Sequence, residues 1–258
     1  MFNTLVYEIV SGVAAIKFNR PEVYNAFNNE MSFEFIDALK KARNDKEVRV
    51  IIITGEGKAF CSGQDLKDVK GVSRSLGESV AKRYNPMTDL IMNIEKPVIA
   101  KVNGVAAGAG AGIVLAADVA IAAESASLVF AFANIGLVLD SGSSYNLPRL
   151  VGKRKAFELA TLGDKISAAA AQELGLINQV VAADKLDETV LQLAQRYQEK
   201  SPLSIGLIKR MLNRSFQSSL QEMLEMEMYC QEIAGNSDDY KEGVMAFIEK
   251  RKPRYTGK

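Results

Sequence analysis

Hydrophobic residues cluster along this chain in two rhythms. Short β-type runs rich in apolar and β-branched residues cover Leu5 to Val10, Val13 to Phe18 and Val48 to Thr54, and predict three strands. Between the second and third, Met31, Phe35, Ala38, Leu39 and Ala42 recur at helical spacing, with Asp37, Lys40, Lys41 and Arg43 around the other face. That helix lies against a sheet. Val98 to Val102 reads as a further buried strand, after which GVAAGAGAG, dense in small residues, leads into apolar sequence as far as Ala117. This is the pattern of a tight turn feeding a buried helix, with close backbone packing. Farther on, Ser167 is the expected N-cap and Gly175 the expected stop of the helix AAAAQEL, and LINQVV follows as a strand. Ser201 and Pro202 open a long helix whose stripe of Ile205, Ile208, Leu212, Phe216, Leu220 and Met223 has helical period. The pattern predicts an α/β body over residues 1–200 and a helical region over 201–258, with no repeat or linker.

Composition narrows the chemistry. A chain of 258 residues, 48% of them hydrophobic, can bury a large core as one domain, or one domain with an appendage. Cys61 and Cys230 are too few for a disulfide framework, so a reducing compartment, the cytoplasm, is expected. The opening MFNTLVYEIVSG alternates like a strand and lacks the features of a secretory leader. The most apolar stretch, Val105 to Ala117, is shorter than the roughly 20 residues of a membrane span. A formal net charge of +1 gives no electrostatic reason to expect nucleic acid or membrane as partners. The chain contains no histidine, which excludes His-based triads, His-ligated zinc and imidazole bases. Acid/base work falls to carboxylates, Lys, Tyr or Cys.

Three segments carry candidate chemistry: KAFCSGQDL from Lys58, KPVIAKVNGVAAGAG from Lys96, and FAFANIGLVLDSGSSYNLPRLVG from Phe130. Each alone reads as ordinary turn chemistry. A strand running through a Gly-rich turn into a helix start, however, leaves several N–H groups unpaired and aimed at one point. Two such turns facing each other would make an oxyanion hole. In their order and spacing the segments resemble the crotonase (enoyl-CoA hydratase/isomerase) superfamily, as do NRPEVYNAF from Asn19, SAAAAQELGLINQVV from Ser167 and FIEKRKP from Phe247.

The resemblance implies a ββα spiral with a helical C-terminal trimerisation region, a homotrimer or homohexamer, and an acyl-coenzyme A (acyl-CoA) substrate. CoA arrives as part of that substrate, and no tightly bound cofactor or metal is expected. Carried over by position, the two N–H groups that hold a thioester enolate belong to Gln64 and Ala109. The substrate wall so implied comprises Val23, Ala26, Ser62, Gly63, Asp65, Leu66, Ala107, Gly108, Gly112, Phe132, Asn134 and Leu139. Among these, Asp65 is expected to order the Ser-Gly turn.

The carboxylates distinguish reactions within the superfamily. The two positions that carry Glu in family hydratases are here Gly112 and Asn134, neither of which moves a proton, so hydration is disfavoured. Asp140 resembles the Asp of the phenylacetate-pathway enoyl-CoA isomerase branch, as do RYNPMTDLI, NGVAAGAGA, FANIGLVLDSG and LPRLVG, although Leu139 replaces a more usual Pro and Ser143 a more usual Gly. From the residues alone, DSGSS reads equally as a helix N-cap. With the resemblance, Asp140 is expected to be the general base of a double-bond shift, its basicity raised by an apolar loop. Alternatives are an enoyl-CoA hydratase, an Asp-nucleophile dehalogenase or hydrolase, and a non-catalytic CoA- or RNA-binding relative. The dehalogenases carry a His that is absent here and an aromatic that Phe132 only partly replaces. Cys61 has no visible activator and reads as a buried small residue. Arg20, Lys250, Arg251, Lys252 and Arg254 are candidates for the CoA phosphates, though a terminal charge run is ordinarily a solvated one.

Overall fold

The computed structural model describes residues 2–67 and 75–258. Strands β1 (Leu5–Val10) and β2 (Val13–Phe18) form an antiparallel hairpin. Its two turn residues, Ser11 and Gly12, both have positive φ, which matches the right-handed twist of the strands they join. Parallel pairing then adds β3 (Val50–Gly55), β5 (Val98–Val102), β7 (Val119–Ala123) and β10 (Gln179–Val181), in the sheet order β1-β2-β3-β5-β7-β10. A smaller sheet has the order β4-β6-β8-β9, from β4 (Ala59–Cys61), β6 (Val105–Ala107), β8 (Ser127–Val129) and β9 (Lys165–Ser167). After the hairpin and the helix that follows it, the chain three times lays one strand in the large sheet, the next in the small sheet, and then a helical segment. This is the expected ββα spiral.

Helix α1 (Asn29–Asn44) is fixed at its start by Asn28, whose side chain accepts from Met31 N at 2.8 Å, and it buries the predicted face. Phe18 on β2 sits edge-on to Phe27, Phe35 and Phe60 at ring distances of 5.2, 5.0 and 5.6 Å. Each such pair is worth about 0.5–1.5 kcal/mol beyond the area it buries. The other face of the large sheet packs on α7 (Leu186–Gln198), where Val50, Ile52, Ile99 and Ile121 meet Leu186 and Val190. Burial on both faces explains why β3 is apolar at nearly every position.

Helix α2 (Leu76–Ser79) runs through a π-helical turn, Val80–Tyr84, directly into α3 (Asn85–Asn93). Helix α4 (Ala109–Ala116) is buried at every residue, as a small apolar segment between layers must be. Helix α5 (Ser143–Leu162) is interrupted at Gly152, and α6 (Ala168–Glu173) begins at Ser167, whose hydroxyl accepts from Ala170 N as expected of a cap.

One sequence expectation is corrected in the C-terminal region. The long helix from Pro202 is two helices, α8 (Pro202–Ser215) and α9 (Leu220–Gly235), followed by α10 (Asp238–Ile248). Ser219 ends the run because it forms a reciprocal capping box with Glu222 and so starts a new helix. On the stripe, Leu212, Phe216 and Leu220 are 65%, 68% and 75% exposed in the single chain. The inward face of α8 instead carries Gly206, Leu207 and Lys209, whose Nζ donates to Ile91 O and Asp118 Oδ2, each at 2.8 Å. Among the described residues, no helix is long and apolar enough to cross a membrane.

Candidate active site

Two backbone turns meet where the small sheet ends. Strand β4 runs into Ser62 and Gly63, and Gly63 adopts φ +93, a conformation that a side chain disfavours. A Cβ there would stand 2.9 Å from Ala107 O and 3.5 Å from Ala109 N, so the Ser-Gly turn abuts the start of α4. Phe27 N donates to Gly63 O at 2.7 Å, and Asp65 N donates to Phe27 O at 2.9 Å. This parallel bridge uses the groups on either side of Gln64 and turns the N–H of Gln64 the other way, with no acceptor among the described residues. Ala109 is the first residue of α4, and its N–H has no intrahelical partner. The N–H groups of Gln64 and Ala109 therefore stand on two apposed turns, neither with a backbone acceptor among the described residues.

The side chain of Gln64 is tied down. Its Oε1 accepts from Arg83 Nη2 at 3.0 Å and from the hydroxyl of Tyr84 in a close contact, while Nε2 donates to Phe27 O at 3.1 Å and Asp65 O at 3.2 Å. Asp65 faces away from this network: its Oδ2 accepts from Arg20 Nη2 at 3.0 Å and its Oδ1 from Lys67 N at 3.1 Å. Arg20 also donates to Ala26 O at 2.6 Å. Arg20 and Asp65 thus brace the loop beneath the Ser-Gly turn, and Arg20 is already committed.

A cleft of about 570 Å³ opens between the α2–α3 run and the segment before α5, lined by Gln64, Val80, Arg83, Tyr84, Leu137, Leu139 and Asp140 among others. Asp140 is the one carboxylate in that lining among the described residues. The N-cap of α5 is Gly142, with no side-chain cap, and Ser143 N takes the backbone oxygen of Asp140 at 2.8 Å. The Asp140 carboxylate is therefore not spent on capping. Its Oδ1 accepts from Ser141 Oγ at 2.8 Å. Burial pushes its pKa up, partly offset by the Ser141 hydrogen bond and the Arg83 charge.

The expected site residues are only partly brought together. Gln64, Leu139 and Asp140 line the cleft. Ser62, Gly63, Asp65, Ala107, Gly108 and Ala109 form the two apposed turns, with Phe132 behind, its ring 3.9 Å from where a Cβ on Gly108 would lie. Gly112 lies on α4 behind Ser141. Val23 and Ala26 pack beneath the turn, the Val23 carbonyl accepting from Ser62 Oγ at 3.3 Å. Leu66 is exposed, and Asn134 points to Gly163, a Cβ on which would be 2.8 Å from its amide. Cys61 is buried without a free face, and its thiol is pushed up to about 12 by desolvation. Arg251 and Lys252 pair with Glu242 and Glu199 at the surface.

Arg83, Tyr84, Leu137 and Val138 line the cleft without having been singled out from sequence. The π turn at Val80–Tyr84 is what brings adjacent Arg83 and Tyr84 inward together, and such turns recur at functional sites.

Residues 8–258 match the family model described as enoyl-CoA hydratase/isomerase. The chain is 42% identical to the 1,2-epoxyphenylacetyl-CoA isomerase of Escherichia coli (strain K12), with all of both chains covered. It is 34% identical to the trans-2-decenoyl-[acyl-carrier-protein] isomerase of Streptococcus mutans, covering 100% of this chain and 99% of that one. The crystal structure of an enoyl-CoA hydratase from Bacillus anthracis superposes with a TM-score of 0.95 at 32% identity, covering 99% of this chain and 100% of the other.

Proposed function

The chain belongs to the enoyl-CoA hydratase/isomerase family, and on that premise we propose that it shifts a carbon–carbon double bond within an enoyl-CoA. In this reading the thioester oxygen lies between the N–H groups of Gln64 and Ala109. Asp140 removes a proton from C2 of a 3-enoyl thioester, and the electron pair left on carbon delocalises onto that oxygen. The double bond re-forms between C2 and C3 as the same proton returns at C4. Backbone donors fixed in advance favour the charged enolate over the neutral thioester, which is what lowers the barrier. Every step is a proton transfer between substrate carbon and one carboxyl group, so no cofactor is required beyond the CoA of the substrate.

One observation carries the reading: Asp140 is the one carboxylate lining the cleft among the described residues, with its basicity raised by burial. A single carboxylate suffices to move a proton between two carbons, whereas adding water across a double bond calls for an acid and a base. Conversion of 3-hexenoyl-CoA to its 2-enoyl isomer, followed by absorbance of the conjugated thioester, tests it. The expected result is fast isomerisation with little hydration of crotonyl-CoA, and a loss of about 100- to 10,000-fold in Asp140→Asn with thioester binding retained. Hydration of crotonyl-CoA faster than isomerisation, or full activity in Asp140→Asn, would overturn it. A covalent aspartyl adduct trapped on Asp140 would do the same in favour of nucleophilic chemistry.

A further inference from the structure

We propose that Arg83 selects acyl groups carrying an uncharged oxygen acceptor, such as a ketone, hydroxyl or cyclic ether, a few carbons beyond the thioester. The inference rests on the cleft being the acyl site, and it names the substrate class that site takes. Arg83 is only 5% exposed, yet it lies in the cleft wall. Its Nε donates to Ser79 Oγ at 3.0 Å and its Nη2 to Gln64 Oε1 at 3.0 Å. Its Nη1 is buried with no hydrogen-bond partner among the described residues. No carboxylate among them comes within ion-pair distance of the guanidinium, whose Nη2 also makes a close contact to Ser79 Oγ and whose carbon stands 5.2 Å from the centre of the Tyr84 ring.

A buried guanidinium with an idle N–H is costly in an apolar surround, and Leu76, Val80, Leu137, Val138 and Leu139 supply that surround. The cost is recovered when the guanidinium turns towards the cleft and a ligand oxygen accepts from Nη1. A purely hydrocarbon acyl chain leaves the donor unsatisfied and is bound less well, by the asymmetry that governs sites built to hydrogen-bond their substrate. The charge count decides which oxygen. Arg83 and an ionised Asp140 together sum to zero in the cleft, and the Arg83 field reaches Asp140. An acyl carboxylate would add a second negative charge beside the one that must act as base. A neutral acceptor adds none.

Unreactive saturated thioesters separate this inference from the reaction itself. Titration calorimetry on the full chain would compare hexanoyl-CoA with 4-oxohexanoyl-CoA, 5-oxohexanoyl-CoA and adipoyl-CoA. At least one ketone is expected to bind tenfold or more tightly than hexanoyl-CoA, and adipoyl-CoA more weakly than either ketone. Arg83→Met should erase the ketone advantage while hexanoyl-CoA binds within about threefold of the parent, the gain lost being one charge-assisted hydrogen bond. If the Met variant does not fold, Arg83→Gln is measured in the same way and should reduce the advantage. Hexanoyl-CoA binding with no ketone preference overturns the inference and leaves the proposed acyl site standing. Tightest binding of adipoyl-CoA overturns it in favour of anionic acyl groups. Failure of every thioester to bind overturns both.

Discussion

Gly112 and Ser141 pack so closely that a methyl group on the first would stand 2.6 Å from the Cβ of the second and 2.8 Å from its carbonyl oxygen. Helix α4 and the loop bearing Asp140 therefore touch backbone to backbone. Since Ala109 opens that helix and Asp140 precedes Ser141, this contact sets the spacing between a proposed enolate donor and the proposed base. Gly112→Ala should displace the loop, destabilising the fold by about 1–3 kcal/mol and lowering the isomerisation rate by about 100-fold. Denaturant unfolding and steady-state kinetics check the two effects. A Glu at this position has no room to serve as a hydratase acid without remodelling the loop, so Gly112→Glu should not create hydration of crotonyl-CoA.

Asp140 links pH to both rate and stability. Its folded pKa lies above the ordinary aspartate value because burial disfavours the anion. As pH rises from the ordinary value towards the raised one, the unfolded chain ionises first, so this group lowers stability across that window and the loss persists above it. Asp140→Asn should therefore melt at a higher temperature than the parent near neutral pH, with the gain vanishing as the pH falls below the ordinary aspartate range. The parent's kcat/KM should rise with pH through the raised pKa. Thermal melts of both proteins across a pH series, with the parent's rate profile, test the sign.

Gln64 separates backbone from side chain. If its N–H holds the enolate, Gln64→Ala keeps the donor and loses only the ties to Arg83 and Tyr84. The expected fall in kcat is below about tenfold, whereas removal of an enolate donor costs on the order of 100- to 1,000-fold. A loss of the larger size in kcat measurements would show that the side chain itself acts on the substrate.

The exposed apolar residues of α8 to α10 call for cover. Leu212, Phe216 and Leu220 are joined by Phe247, 85% exposed. A contiguous apolar surface on a single chain is a mark of association, and we predict that these residues are covered by further copies of the chain. Sedimentation at micromolar concentration should give three or six times the 28.1 kDa of the chain, and Leu212→Glu or Phe247→Glu should shift it towards smaller species. A strictly monomeric parent would contradict the trimer reading.

Legibility from sequence followed the kind of force involved. Strands β1, β2 and β5 fall where their apolar runs begin and end, because burial on a sheet writes itself into consecutive residues. The break between α8 and α9 was missed although Ser219 and Glu222 spell a capping box, since the apolar period continues across it. Whether Asp140 caps the helix is not legible in DSGSS, because a cap and a base need the same residue. The positive φ of Ser141 and Gly142 brings Gly142 to the cap and leaves the Asp140 carboxylate out of it. The resemblance of RYNPMTDLI covers Arg83 without marking it as a site residue, for a π turn leaves no periodic mark and a cation in a helix ordinarily faces water.

The small sheet joins distant stretches of chain: Ala59 and Cys61 pair with Val105 and Ala106, and Leu128 pairs with Ile166. Neither proposed donor has its counterpart until the first of those crossovers closes. Loop-closure entropy has to be overcome before any of these long-range pairings repays it, so such a sheet forms slowly and late. Recovery of activity on refolding should then lag behind the return of helical circular dichroism. Any lesion that delays that single crossover would yield chains that are well folded in their helices and catalytically silent.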